Sequence, residues 1–311
     1  MKAIVCTKYG PPEVLQLKEV EKPTPKQNEV RVKIYATAVT ASDCIIRSGT
    51  VSPAFWIPMR LAVGLTKPRN ILGMVLAGEI ETVGKSVRQF QIADRVYAFT
   101  IAGMRFGAYA EYTCLPEDGL VAGMPSNVGY EEAAAVPFGG LLALHFLKKG
   151  NIQSGQNVLI YGASGAVGTS AVQLARHFGA KVTGVCSTTN LELVKSLGAD
   201  TVIDYTKDDF TKSGERYDLI FDAVGKRKSS NLQCKNALAP DGQFISVDDG
   251  SPKLHVEGLI LLRELVETRK IRPVIDRCYP LEEMIEAHRY VDQGHKKGNV
   301  VITVAHEGQA R

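Results

Sequence analysis

An apolar run, Val158 to Ile160, leads directly into three glycines spaced by three, Gly162, Gly165 and Gly168, and then into an alanine-rich helical pattern. No other stretch limits the fold as much. A strand that turns at once into a helix needs one glycine for the tight turn and another where the helix packs on the strand. A third leaves the backbone open to close approach by a pyrophosphate. The helix behind offers N–H groups without intrahelical partners and the positive end of its dipole. The spacing marks Gly162, Ala163, Ser164, Gly165, Ala166, Val167 and Gly168 as candidate contacts for a dinucleotide. A turn without a ligand carries the same glycines, so the surrounding pattern decides between the two.

That pattern is one of alternating strands and helices. Segment 157–162 reads as a strand and 166–178 as a helix; 181–186 is the next strand and 191–198 the next helix. Further strands are predicted at 201–205, 217–225 and 242–247, and the last helices at 261–271 and 281–294. Repeated β-α-β units argue an α/β fold with a doubly wound parallel sheet. Upstream, 130–150 is helical, with Glu131 and Glu132 at its start and Lys148 and Lys149 at its end, as the helix dipole favours. Pro137 kinks or divides that helix.

The first 120 or so residues differ. In 28–39, Val30, Val32 and Ile34 share one face and Arg31 and Lys33 the other, and 73–87 and 93–99 read similarly. Many short strands with Gly and Pro between them suggest a barrel or a sandwich. Segment 51–70, apolar and broken by prolines, reads as a packing loop or a lid. A last strand, 299–304, follows an interruption at 272–280 and is assigned back to the β-rich part. A chain of 311 residues exceeds one typical core, so two domains are expected: 1–122 with 268–311, and 123–267.

Composition excludes several classes. A net charge of +4 without a dense Lys/Arg block leaves no nucleic-acid footprint. No apolar run approaches the ~20 residues of a membrane span, and MKAIVCTKYG has no signal-peptide core. The six cysteines stand singly, with no C-x-x-C, which reads as reduced thiols in a cytoplasmic protein and argues against a structural zinc site.

An absence bears on the cofactor. A site for NAD places Asp or Glu at the end of the second strand, ~20 residues on, to hold the ribose 2′-hydroxyl. Here that strand ends in Cys186, Ser187, Thr188, Thr189 and Asn190; the first acid is Glu192, inside the next helix. A carboxylate would repel a 2′-phosphate, whereas hydroxyls and an amide would not. NADPH is therefore expected over NADH, with Ser187, Thr188 and Asn190 as contacts and dual use left open, because 186–191 holds no Arg or Lys. The same cluster also suits a helix N-cap.

These residues together resemble the medium-chain dehydrogenase/reductase superfamily, in its zinc-independent quinone oxidoreductase-like branch. The resemblance rests on 161–180, 196–205, 217–225, 131–147, 78–84 and 286–302, and covers nearly the whole chain. It implies a GroES-like catalytic domain and a Rossmann domain with the active site between them. It implies Tyr205 near the adenosine end, Val224, Gly225 and Val247 beside the nicotinamide, and Val136 and Pro137 lining the cleft. It also implies a lysine where Asn190 stands.

Zinc members of the superfamily carry a cysteine and a His-Glu pair where this chain has Thr40, Met74 and Val75. No zinc is expected, because the imidazole and thiolate ligands are missing. Without a metal Lewis acid, hydride transfer suits an acceptor with its own electron sink. A quinone or an α,β-unsaturated carbonyl is such an acceptor, and the protein orients it and donates to its oxygen. Thr40 is the candidate donor and Asp43 its candidate partner, catalytic or a backbone cap. The branch often has asparagine at Thr40 and tyrosine at Ile45. An alcohol or aldehyde dehydrogenase using NAD(P), and a non-catalytic NADPH-binding sensor, are the alternatives.

Several residues have plainer expectations. His145 and His288 are expected to be packed, hydrogen-bonded histidines, and 295–299 a solvated turn. Phe55 and Trp56 either shape the substrate pocket or anchor 51–70. Cys44 and Cys186 lie near the cleft with nothing to activate them. The chain lacks the extra helix and strand that many relatives carry after Val247, so a monomer, or a homodimer using another surface, is expected.

Overall fold

The computed structural model describes residues 1–51, 53–68, 70–100, 105–225, 234 and 236–306. The chain opens with an antiparallel pair, β1 (Lys2–Cys6) and β2 (Leu15–Glu19). β3 (Glu29–Val39) follows, then α1 (Ala41–Ser48), α2 (Pro53–Val63), β4 (Val75–Val83), β5 (Arg95–Phe99), β6 (Tyr112–Pro116) and β7 (Val121–Gly123). β3 is the spine of a seven-stranded sheet. Val30, Val32 and Ile34 are fully buried while Arg31 and Lys33 between them are half-exposed, so the alternation in the sequence becomes an inner and an outer face. β6 pairs with the first half of β3 and β14 (Asn299–Thr303) with the second.

Pro137 divides the helical stretch. α3 (Tyr130–Ala134) packs on β3 and β4, and α4 (Pro137–Lys149) starts with the proline in its first turn, where a missing N–H costs nothing. Then β8 (Asn157–Tyr161), α5 (Ala166–His177), β9 (Lys181–Cys186), α6 (Leu191–Ser196), β10 (Thr201–Asp204), β11 (Tyr217–Asp222) and β12 (Leu238–Ser246) build a parallel sheet. Its order, β10-β9-β8-β11-β12, is doubly wound, with the switch between β8 and β11. Ligands of such sheets bind at the carboxyl ends of the strands beside the switch.

After α7 (Val256–Glu267), β13 (Ile275–Pro280) and α8 (Met284–Asp292), β14 rejoins the first sheet beside β3, with β13 parallel at its edge. One apolar core runs through both sheets and the helices between them. The sheets also touch through backbone: Gly298 forms a parallel bridge with Gly165, and its N–H donates to the carbonyl of Ser164 at 2.8 Å.

Some expectations change. Segment 51–70, expected as a packing loop or a lid, is helical over residues 53–63, with Pro53 at the first position, where it disturbs no intrahelical bond. The interruption at 272–280 contains β13, and the last parallel strand begins at Leu238, four residues before the pattern suggested. Segment 295–299 is not a solvated turn: Gly298 and Asn299 are buried and Lys296 half-buried, because this is where the two sheets meet.

Candidate functional site

The glycine turn sits at the carboxyl end of β8. Gly162 has φ +77°, and a Cβ there would lie 2.3 Å from Val224 Cγ2. A Cβ on Gly168 would lie 2.1 Å from the carbonyl oxygen of Gly162. Both glycines are therefore demanded by the protein's own packing. Gly165 is not. Its φ is −78°, and a Cβ would meet only Gly162 O, at 3.6 Å. This glycine keeps a surface clear that no atom of the described residues fills. It is also the N-cap of α5 without a side-chain cap, so first-turn N–H groups face that surface. The arrangement fits a dinucleotide pyrophosphate.

The turn is braced from three sides. Asn190 is buried and donates from Nδ2 to Ser164 Oγ and Ser187 Oγ, both at 3.1 Å. Asn190, expected as a cofactor contact, ties the turn to the tip of β9. Gly298 holds the carbonyl of Ser164 from the other sheet. Asp222, fully buried at the end of β11, accepts from the N–H groups of Val224 (3.0 Å) and Gly225 (3.1 Å) and from Ser246 Oγ (3.3 Å). It also links to Val247, whose N–H donates to its carbonyl at 3.0 Å. The resemblance set residues 222–225 beside the nicotinamide without giving Asp222 a role of its own; Ser246 was missed, since a strand end gives no sign that it helps fix the turn bearing Val224, Gly225 and Val247.

At the tip of β9, Ser187 is half-buried and Thr188 exposed. Thr188 Oγ1 donates to Asp204 Oδ2 at 2.5 Å, while Thr206 donates to Oδ1 from N (3.0 Å) and Oγ1 (2.7 Å). These bonds hold the Asp204 carboxyl below the usual carboxylate range. Lys207 Nζ lies 3.7 Å from the same Oδ2. Tyr205 is exposed, with its N–H on the carbonyl of Cys186. The sequence offered no cation in 186–191; the fold brings Lys207 to this corner from the turn after β10. The register of β10 on β9, which sets Asp204 opposite Cys186, is the signal that would have found it.

Thr40 and Asp43 form a closed capping box at the start of α1. Thr40 Oγ1 donates to Asp43 Oδ2 at 2.7 Å, Thr40 N donates to the same oxygen at 3.0 Å, and Asp43 N donates to Thr40 Oγ1 at 3.1 Å. Both residues are buried. Burial pushes the Asp43 carboxyl up to about 6, against the hydrogen bonds from Thr40 that pull it down. Asp43 Oδ1 and the Tyr109 hydroxyl complete no hydrogen bond, although each perturbs the other's ionisation. Met74 Sδ lies 3.9 Å from Thr40 Oγ1, and Val75 is buried at the start of β4. Of the three positions that the resemblance sets against zinc ligands, Thr40 and Met74 meet here, carrying a hydroxyl and a thioether, and Val75 follows Met74 in the chain.

Behind them lies a second buried group. Arg47 donates from Nη2 to Asp292 at 2.8 Å, and its Nη1 lies 3.2 Å from His288 Nδ1. Cys44 Sγ is 3.3 Å from the same nitrogen. Arg47 can only donate, so Nδ1 accepts and the neutral ring carries its proton on Nε2. Burial, then Arg47, lowers His288 to about 3. Burial raises the thiols of Cys44 and Cys186, the latter to about 11. His145 is half-buried against Phe146, its pKa lowered by burial. Val136 and Pro137 are buried where α4 begins. Trp56 is 46% exposed under the Arg60 guanidinium; the side chain of Phe55 lies outside the described residues. Among the described residues no three His, Cys, Asp or Glu side chains gather as a metal site, and no helix is long and apolar enough to cross a membrane. A groove of about 920 Å³ runs along the parallel sheet from Asn157, Lys181 and Asp200 at the amino ends of its strands to Lys207 and Asp208 in the turn after β10.

Comparison with known proteins agrees with this geometry. A family model described as alcohol dehydrogenase GroES-like domain matches residues 26–126, and models described as zinc-binding dehydrogenase match 166–272 and 250–302. The chain is 35% identical to a 2-methylene-furan-3-one reductase of Solanum lycopersicum, over 97% of this chain and 79% of that one. It is 32% identical to a chloroplastic NADPH-dependent alkenal/one oxidoreductase of Arabidopsis thaliana, with the same coverage. It is 33% identical to a quinone oxidoreductase of Sus scrofa, over 96% and 95%. Among solved structures, the quinone oxidoreductase of Coxiella burnetii superposes with a TM-score of 0.88 at 29% identity, covering 98% and 99% of the two chains.

Proposed function

Because the chain belongs to the medium-chain dehydrogenase/reductase superfamily, in its quinone oxidoreductase-like branch, and is an oxidoreductase of that type with a nicotinamide cofactor, we propose that it reduces a quinone or an α,β-unsaturated carbonyl with NADPH and without zinc. The observation that carries this reading is the contact of Thr40 with Met74. Where a metal would be held, the chain brings together a hydroxyl and a thioether, which suit zinc poorly. Relatives named as alkenal/one and quinone oxidoreductases support the acceptor class.

When bound, the reduced nicotinamide supplies the hydride; the protein's own residues position it and manage the proton. Gly165, the first N–H groups of α5 and the Asn190-braced Ser164 hold the pyrophosphate. Ser187, Thr188, Tyr205 and Lys207 face the adenosine end, the cation supporting a 2′-phosphate. Val224, Gly225 and Val247, fixed through Asp222, flank the other end. Asp43 and Thr40 form the proton source: with Asp43 protonated, its carboxyl donates to Thr40 Oγ1 and frees the hydroxyl proton for the acceptor oxygen. The acceptor is a small molecule, the chain acts as a monomer or a homodimer, and its free cysteines suit the cytoplasm.

Turnover with NADPH against 1,4-benzoquinone, an enone and a primary alcohol tests this reading. Reduction of either of the first two, unaffected by a chelator, is expected. Alcohol oxidation that a chelator abolishes would overturn it, and tight NADPH binding with no turnover would make the chain a sensor.

A further inference from the structure

Lys296 stands two residues before Gly298, the residue through which the seven-stranded sheet meets the glycine turn. Its side chain folds back on its own segment, and Nζ donates to the carbonyl of Gly298 at 2.5 Å. The ammonium is thereby held beside the backbone that touches Ser164 and Gly165. The side chain is half-buried and forms no ion pair among the described residues. Asp276, on β13, is engaged by the Tyr290 hydroxyl at 2.6 Å and by Lys297 N–H at 2.9 Å. Cys44, on α1, is the other ionisable neighbour, and burial keeps its thiol neutral. Burial also lowers the Lys296 amine to about 8.

A desolvated ammonium with one carbonyl partner has two N–H donors to spare, and leaving such a charge unpaired is costly. Its location sharpens the point. The amino end of α5, at the same turn, is also positive and uncapped. The ammonium and the helix end thus lie on the two segments that the Gly298–Ser164 contact joins, and an anion bound at that junction would relieve both. We propose that Lys296 is a positioning residue that donates to the cofactor's pyrophosphate from the seven-stranded sheet, so that both sheets hold the phosphates. This rests on the reading of the turn as a dinucleotide site. The pyrophosphate is common to both nicotinamide dinucleotides, so Lys296 adds affinity without choosing between them.

Calorimetric titration with NADP⁺ and NAD⁺ tests it. Lys296→Met weakens both by one common factor, about 10- to 30-fold, the range of a charge-assisted hydrogen bond. Lys296→Arg recovers most of the loss. In the wild type, NAD⁺ affinity declines as pH rises from 7 to 9.5, because the ammonium discharges while Asp276 stays ionised and Cys44 neutral. In Lys296→Arg the decline is absent, since guanidinium keeps its charge. Unchanged affinity in Lys296→Met, or a pH decline that persists in Lys296→Arg, overturns the proposal. If Lys296→Met does not fold, the two pH titrations decide. A wild type that binds neither dinucleotide overturns the underlying reading itself.

Discussion

Thr188 and Asp204 are joined by a 2.5 Å hydrogen bond between the tips of adjacent strands, and Lys207 closes on the same carboxylate oxygen. An acid thus stands near the expected 2′-phosphate corner, but its charge is already engaged by two hydroxyls, a backbone N–H and an ammonium. The Lys207 side chain is 66% exposed, so its ion pair is weak and turning to a phosphate costs little. Lys207→Glu is therefore expected to lower the preference for NADPH over NADH by about 10-fold or more, on the scale of a charge-assisted bond. Tyr205→Ala is expected to lower it less. Steady-state kinetics with both cofactors measures the ratio, and an unchanged ratio in Lys207→Glu would remove Lys207 from the site.

The three glycines predict three different outcomes. Gly165→Ala adds a methyl that meets no protein atom nearer than 3.6 Å at an ordinary φ, so the melting temperature stays within about 2 °C of wild type. Dinucleotide affinity nevertheless falls by about 10-fold or more, since that methyl occupies the surface kept for a pyrophosphate. Gly168→Ala drives its methyl against Gly162 O and destabilises the fold by about 1–3 kcal/mol. Gly162→Ala adds strain at positive φ to a clash with Val224. Thermal melts beside cofactor titrations separate the ligand's glycine from the protein's. A Gly165→Ala variant that binds as wild type does would deny the turn its ligand.

Much of this architecture is readable in the residues, and what is not has a common cause. Gly162, Gly165 and Gly168 carry a local rule, because a strand–turn–helix is specified by neighbours in the chain. The alternation in β3 and the division at Pro137 are local too. Asn190 was expected as a cofactor contact because an amide at a strand tip does not repel a phosphate. Its burial depends on Ser164, 26 residues away, which no period in the sequence reveals. Lys207 and Asp222 reach the site only through the pairing of β10 on β9 and of β11 on β8. Lys296 stands in a segment with the composition of a surface turn and is half-buried because Gly298 meets Ser164 across the two sheets. Strand ends assemble the site, and strand order is the part of a fold that composition and spacing determine least.

If Asp43 delivers its proton through Thr40, the two must fail together. The carboxyl at about 6 implies that kcat/KM for an enone falls as pH rises through 6, because the protonated form is the donor. Thr40→Ser keeps the hydroxyl and keeps that profile. Thr40→Val breaks the relay, lowers kcat/KM by about 10²-fold or more, and flattens the profile. It also removes the cap, at a cost of about 1–2 kcal/mol read from urea midpoints. A Thr40→Val variant that is less stable yet equally active with an unaltered profile would reduce the pair to a cap.

Asp43 and His288 make opposite demands on stability as the pH falls. For Asp43 the folded state, at about 6, holds its proton more tightly than the unfolded chain at 3.8. Between those values the folded state binds more protons, so acidification from pH 7 to 4 stabilises, by up to ~3 kcal/mol. His288 runs the other way. Its folded value of about 3 lies below the ordinary 6.5, so the unfolded chain binds the extra proton and acidification through that window destabilises, by up to ~5 kcal/mol before relaxation. The two oppose each other between about pH 4 and 6, leaving the wild type nearly level there until His288 dominates. His288→Gln removes one slope, so that variant gains stability as the pH falls from 7 to 5. Asp43→Asn removes the other, so that variant loses stability from pH 6.5 downward. Urea unfolding at half-unit pH steps measures each slope, and parallel curves for the wild type and both variants would show that neither group titrates across the folding transition.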